Sequence, residues 1–343
     1  MIKKLQVLIV FALLSAVSGF AQDIHFSQYD DTPQLINPGS AGVYNGYVRA
    51  IANYKNQWMA MGNAYNTEAA SIDFPILKGK KENRAHLGLG LNFFNDKAGD
   101  AKIGLTAGNL CIAGILPVTR LSVLSLGLSA GAGQFKADYN ALQWATQYDG
   151  KGFDQTINSN EPLAFTSYVY PDISAGIYYE YFSGKNTMSR NEQRRIAIGF
   201  AYYHINKPEQ KYFTAIERMY SKYVVSFNGD FDVTGSHFSV APTFACFIQG
   251  KSNEFDLGVA LRYRMKNSTK VTGFITESGL ALGAHYRFGD AFIPQLIYDI
   301  GNFKIALCYD INISTYAQVT HKNGGAEISL KYIIMRGAKW QDK

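Results

Sequence analysis

From Tyr47 onward, apolar residues alternate with small or polar ones in segments of about 8 to 14 residues. Leu87, Leu89, Leu91 and Phe93 fall on one side of such a segment, and His86, Gly88, Gly90 and Asn92 on the other. Ile196, Ile198, Phe200 and Tyr202 likewise oppose Arg195, Ala197, Gly199 and Ala201. Further along, Leu257, Val259, Leu261 and Tyr263 oppose Gly258, Ala260, Arg262 and Arg264, and Leu280, Leu282, Ala284 and Tyr286 oppose Gly279, Gly283, His285 and Arg287. The last segment sets Ala326, Ile328, Leu330 and Tyr332 against Glu327, Ser329 and Lys331. This is the period of a β-strand and not of a helix. It predicts fourteen strands, near 47–58, 64–74, 84–95, 101–117, 120–135, 172–182, 195–205, 221–231, 236–250, 254–264, 278–287, 291–299, 302–311 and 325–335.

The contrast between the two faces selects the fold class. A soluble barrel turns its bulk inward to fill the core. Here the bulky residues share one face, while the other carries Gly, Ser, Ala and scattered charge, as in a barrel with lipid outside and a polar lumen. Tyr181, Tyr202, Tyr263, Tyr286, Tyr298, Tyr309 and Tyr332 sit near segment ends on the apolar face, where tyrosine anchors the membrane–water boundary. Backbone groups in lipid must all be paired, so the sheet is expected to close. The predicted fold is an all-β, transmembrane, antiparallel up-and-down β-barrel over 47–335, with both of its ends in the periplasm. The longest connection, 136–171, follows the fifth predicted strand and so is expected outside. Face parity places Cys111 and Cys246 toward lipid and Cys308 toward the lumen, and no disulfide is expected.

The first 46 residues lack the alternation. Lys3 and Lys4, an apolar stretch from Leu5 to Val17 and the small residues of Gly19-Phe20-Ala21 predict a signal peptide over 1–21, with export to the outer membrane. Residues 22–46 are expected to form a pre-barrel periplasmic arm or a plug; Asn37, Pro38 and Gly42 are turn formers that fit a tight lead into the first strand. Residues 336–343 read as a tail. Apolar residues make up 47% of the chain, which excludes a disordered protein. The net charge of +6, reduced further if Lys3 and Lys4 are removed, is far from a nucleic-acid-binding balance.

Catalytic chemistry is not legible. The six histidines are scattered, with no HExxH, and neither GxSxG nor a phosphate loop occurs. No cofactor or metal set is predicted. A hydrolase would need a Ser or Asp beside a lumen histidine such as His285. Arg262, Arg264, Arg287, Lys304 and Lys331 are expected to face Glu180, Asp230, Asp299, Asp310 and Glu327 across the lumen, a mixture that favours neither ion sign. The small lumen residues leave room for a solute channel as the alternative reading. Lys78-Gly79-Lys80-Lys81 falls on a predicted periplasmic turn. The 136–171 connection carries Tyr139, Trp144, Tyr148, Phe153, Phe165, Tyr168 and Tyr170, a loading that suits a partner interface or packing of the loop on itself and the rim.

A series of short motifs then appears in order. Gln22-Asp23-Ile24-His25-Phe26-Ser27-Gln28-Tyr29 opens it, followed by Asn37-Pro38-Gly39-Ser40-Ala41-Gly42 and Tyr54-Lys55-Asn56-Gln57-Trp58. Asp73-Phe74-Pro75, Pro171 to Tyr179 and His204-Ile205-Asn206-Lys207-Pro208 come next; Tyr309-Asp310-Ile311-Asn312-Ile313-Ser314 and Gly324 to Leu330, which contains Glu327, close it. In these motifs the sequence resembles the PorP/SprF family of the type IX secretion and gliding machinery of Bacteroidetes, with Lys55 in place of the usual Arg. The resemblance implies a non-enzymatic outer-membrane component that supports secretion and surface anchoring of large adhesins carrying a type B C-terminal domain. It also implies partners among the other secretion and gliding components, including periplasmic ring proteins. On that reading the 136–171 loop is expected to meet the adhesin.

Overall fold

The computed structural model describes residues 23–57, 65–77, 84–138, 142–160, 167–183, 193–212, 215–266, 278–314 and 317–334. The expected signal peptide and the 336–343 tail lie outside them, as do Trp58, Tyr139, Phe165 and the Lys78–Lys81 stretch.

The first half of the wall comprises β1 (Val48–Gln57), β2 (Tyr65–Ile76), β3 (His86–Ala98), β4 (Ile103–Pro117), β5 (Ser122–Lys136), β6 (Ser167–Ser183) and β7 (Arg194–Tyr203). A hairpin of β8 (Glu209–Tyr212) and β9 (Ala215–Arg218) follows, outside the wall. The wall resumes with β10 (Lys222–Asp232), β11 (Phe238–Gln249), β12 (Ser252–Lys266), β13 (Ser278–Arg287), β14 (Ala291–Ile300), β15 (Phe303–Asn312) and β16 (Asn323–Ile334). Each wall strand pairs antiparallel with the next, and β1 pairs with β16 from Val48↔Ile334 to Gln57↔Gly325, closing a barrel of fourteen strands. Closure leaves no edge strand, as lipid demands. No helix among the described residues is long and apolar enough to cross a membrane.

The alternation sets the faces as the sequence predicts. Leu91, Phe93, Ile198, Phe200, Leu257, Leu261 and Leu282 are exposed on the outer surface, where lipid covers them, while their sequence neighbours turn inward. The barrel has two distinct rims. At the closing rim β1 begins and β16 ends, and the tight connections 118–121 and 301–302 lie there. The opposite loop rim carries 137–166 and the hairpin connection 204–221.

Two expectations need correction. β6 starts at Ser167, five residues before its predicted start, so Tyr168 and Tyr170 belong to a strand and not to a free loop. Both turn inward and pack with Met219, Leu105 and Phe135. Cys111 faces the lumen and not lipid: it packs with Ala41 and Ala113, and the Asn92 amide donates to its Sγ. β4 is apolar on both faces here, because its inner face meets apolar groups of the N-terminal segment, and this erased the parity signal. Cys246 lies outward and Cys308 inward, and all three cysteines are free.

Candidate functional site: a plug threaded through the barrel

Residues Asp23 to Tyr47 run through the lumen as short turns. Tyr29–Asp31 forms one turn of 3-10 helix, Pro33–Ile36 a single α-turn with Pro at its first position, and Pro38–Ser40 another 3-10 turn. Asn37 joins the last two: its Oδ1 accepts the Gly39 N–H at 2.8 Å, a helix-capping bond. Its Nδ2 donates to the backbone oxygens of Ile177 (2.9 Å) and Phe200 (3.2 Å) on the wall. That approach requires glycine at 176, where a Cβ would overlap Asn37 Oδ1. Gly88 serves the same end against the Ala41 carbonyl. The small lumen residues thus make room for a polypeptide.

Polar anchors hold the plug from one rim to the other. At the loop rim, Asp23 N–H donates to Gln249 Oε1 at 3.1 Å, and its carboxylate lies 2.6 Å from His204 Nε2 and 3.7 Å from Lys222 Nζ. His204 Nδ1 lies 2.8 Å from Asp172, so its ring is held between two carboxylates. Burial by itself would lower the His204 pKa, but Asp23 and Asp172 outweigh it and push it up to about 10. Burial would raise the Asp23 carboxyl; His204 and Lys222 hold it well below the usual range instead.

Further in, Ser27 and Gln28 N–H donate to the two oxygens of Glu327 at 2.8 and 3.1 Å, and Lys55 Nζ lies 3.2 Å from the same carboxylate. Ser27 Oγ donates to Asp310 at 2.8 Å and accepts from Arg287 at 2.6 Å. Asp31 is buried between Lys304 (2.8 Å) and Lys331 (2.6 Å). Near the closing rim, Arg49 donates to Asp73 through Nε (2.9 Å) and Nη2 (2.8 Å), Gly42 N–H donates to Asp73 Oδ2 at 2.7 Å, and Arg49 Nη2 also donates to the Ser40 carbonyl. Gly42 takes a φ of 74°, which glycine adopts without strain.

Apolar contacts complete the seat. Tyr29 packs on Ala201, Val224, Ala245 and Phe247, and Val43 on Ile115, Tyr178 and Ala197. A cavity of about 290 Å³ remains beside the plug, lined by Tyr29, Ser40, Asn228, Thr243 and Arg262 among others. Arg262 there bridges Asp230 and Asp299, and Arg195 pairs with Glu180. Cys308, Asp310 and Glu327 bring three metal-type donors within 4.8 Å of one another. Lys55 and Arg287 already neutralise those carboxylates, so the arrangement works as an ion-pair network around the plug.

The motif residues of the sequence therefore come together in space to a large extent. Asn37, Pro38 and Gly42 lie on the plug, and Asp73, Asp310 and Glu327 receive it. Pro75, on β2, lines the seat of Gly42. Gln57 ends β1. Asn206 lies elsewhere: beyond the end of β7 it donates to the Pro171 carbonyl and accepts from Ile173 N–H, continuing the ladder along β6. Pro208 closes the base of the hairpin through the Met219 N–H, and Asn312 donates to Thr320 Oγ1. Of the loop aromatics, Tyr148 and Phe153 are exposed (60% and 42%) and paired through an isolated bridge, and Trp144 is half-buried. Tyr168 (9%) and Tyr170 (4%) are buried in the wall. The sequence reading missed Ser27, Gln28, Asp31 and Lys55 as wall contacts. Their only signal was a concentration of charge at inward positions of β1, β15 and β16.

Three solved structures show the level of general likeness. The KdgM porin is 7% identical, with 83% of this chain and 98% of that one covered and a TM-score of 0.37. The β domain of the Bordetella autotransporter BrkA is 10% identical, with 84% and 99% covered and a TM-score of 0.41. A TodX monoaromatic hydrocarbon channel variant is 8% identical, with 87% and 92% covered and a TM-score of 0.45. No curated protein matches the sequence. The family described as type IX secretion system membrane protein PorP/SprF matches over residues 18–332. That match takes in the plug as well as nearly all of the wall, and the chain belongs to the PorP/SprF family of type IX secretion system membrane proteins.

Proposed function

We propose that this barrel is a non-enzymatic component of the secretion machinery that supports secretion and surface anchoring of large adhesins with a type B C-terminal domain. Other secretion components, including periplasmic ring proteins, are its further partners. The observation that carries this reading is the plug. A solute channel needs a continuous path, and Asp23–Tyr47 obstructs the lumen with contacts on the wall from rim to rim. The charged lumen side chains are committed to that seat or to one another, which leaves the rims as the working surfaces. On the loop rim, Tyr148 and Phe153 present aromatic surface on a loop held by a rigid scaffold, where binding residues concentrate.

Deleting residues 140–165 tests the reading. The barrel is expected to assemble, judged by heat-modifiable migration of the outer-membrane protein, while the adhesin is lost from the cell surface into the medium. Unchanged surface display with the loop gone would overturn the role of this loop. A wild-type protein with steady conductance in planar bilayers would overturn the closed-lumen argument beneath it.

A further inference from the structure

The plug enters and leaves by opposite rims. Tyr47 N–H donates to the Ile334 carbonyl at the closing rim, while Asp23 is fixed at the loop rim by Gln249, His204 and Lys222. Between these points Phe26, Tyr29, Ala41 and Val43 are buried against or beside the wall. The N-terminal end of the plug therefore stays on the loop rim unless these apolar contacts and the ion pairs break together. In membrane barrels of this type the short turns face the periplasm and the longer connections face outward. The two longest connections, 137–166 and 204–221, lie on the loop rim beside the short turns 99–102, 250–251 and 288–290, while the closing rim, where β1 begins and β16 ends, has 118–121 and 301–302 and connections of at most eleven residues.

We infer that the chain is threaded across the outer membrane twice over before its second strand begins, so that the Asp23 end of the plug lies at the cell surface. This inference rests on the threaded geometry and is independent of the adhesin role proposed above.

Epitope insertion in the full chain tests it on intact cells. One epitope is placed between residues 22 and 23, one at 150 in the loop and one at 119 in the turn. Antibody is expected to bind the first two on intact cells and the third only after permeabilisation. An N-terminal epitope that requires permeabilisation while the loop epitope does not would overturn the inference, and so would surface exposure of the turn alone. Should the N-terminal insertion fail to assemble, Gln22→Cys, which leaves the Asp23 anchor intact, provides the second measurement. An impermeant maleimide is expected to label it on intact cells, against a background of three buried native thiols; absence of label on an assembled barrel would overturn the inference equally.

Discussion

Asp73 shows what the lumen asks of single residues. It is fully buried, yet it accepts from Gly42 N–H and from two nitrogens of Arg49, so its charge is met by a fixed fork of donors. Removing one member of such a buried pair leaves the other charge stranded, which costs about 3–5 kcal/mol. Arg49→Ala is expected to lower the unfolding temperature in detergent strongly, while Arg49→Ala with Asp73→Asn costs less than the two single changes together. Equal and additive losses would show that the pair is not what holds Gly42. The loop-rim latch has a pH signature. His204 has its pKa raised from 6.5 to about 10, so its contribution is complete below pH 6.5 and is lost as pH rises through 10. The Asp23 carboxyl is held below its ordinary 3.8, so its contribution is present above that value and is lost only in stronger acid. Proteolysis of the plug's N-terminal end in detergent is therefore expected to accelerate between pH 6.5 and 10. His204→Gln is expected to be fast and flat across that window; a wild-type rate that does not move with pH would dismiss the latch.

At the scale of elements, the glycines separate wall from plug. Gly88 and Gly176 have plug atoms where a Cβ would go, whereas Gly108 and Gly114 on β4 face outward with nothing closer than 3.9 Å. Gly88→Val is expected to unseat the plug at Ala41 and to weaken the heat-resistant form. Gly114→Val is expected to be neutral or mildly stabilising, since it adds apolar surface toward lipid. If both variants behave alike, the plug does not rest on the wall as described. The same contrast explains what the sequence could disclose. Strands such as β3 and β12 were legible because lipid and lumen impose opposite chemistries on neighbouring residues. β4 was half legible: Cys111, Ala113 and Ile115 are apolar toward the lumen because the plug covers them, and its outer residues Leu110 and Ile112 are apolar too. The plug was legible only as a break in the alternation, because single helical turns have no period of their own. Its partners Asp310 and Glu327 share the β15–β16 hairpin, whereas Lys55 lies far from them in sequence and only barrel closure between β1 and β16 brings it to Glu327.

The whole molecule is set by a mismatch between its circumference and its side chains. Eight-stranded barrels are filled by their own side chains, and barrels of 16 to 18 strands leave an aqueous channel. Fourteen strands fall between these, with a lumen too wide for glycine, alanine and serine to fill. The N-terminal segment supplies the missing volume and also the missing counter-charges, since Asp31 answers Lys304 and Lys331. Removing residues 23–46 would therefore do two things at once. It opens a path, and it leaves Lys304, Lys331, Arg287, Asp310 and Glu327 facing water without their plug partners. Water solvates those charges better than a dry cavity would, so the hydrogen-bonded wall is expected to survive and to migrate as an assembled barrel. It should conduct in planar bilayers with little preference between cations and anions, because both signs line the opened lumen, whereas the intact protein should be silent. A deletion variant that assembles but stays closed would mean that the loop-rim segments seal the barrel independently of the plug. One that fails to assemble, while a Gly88→Val barrel with the full segment still does, would make the segment the surface on which the wall closes.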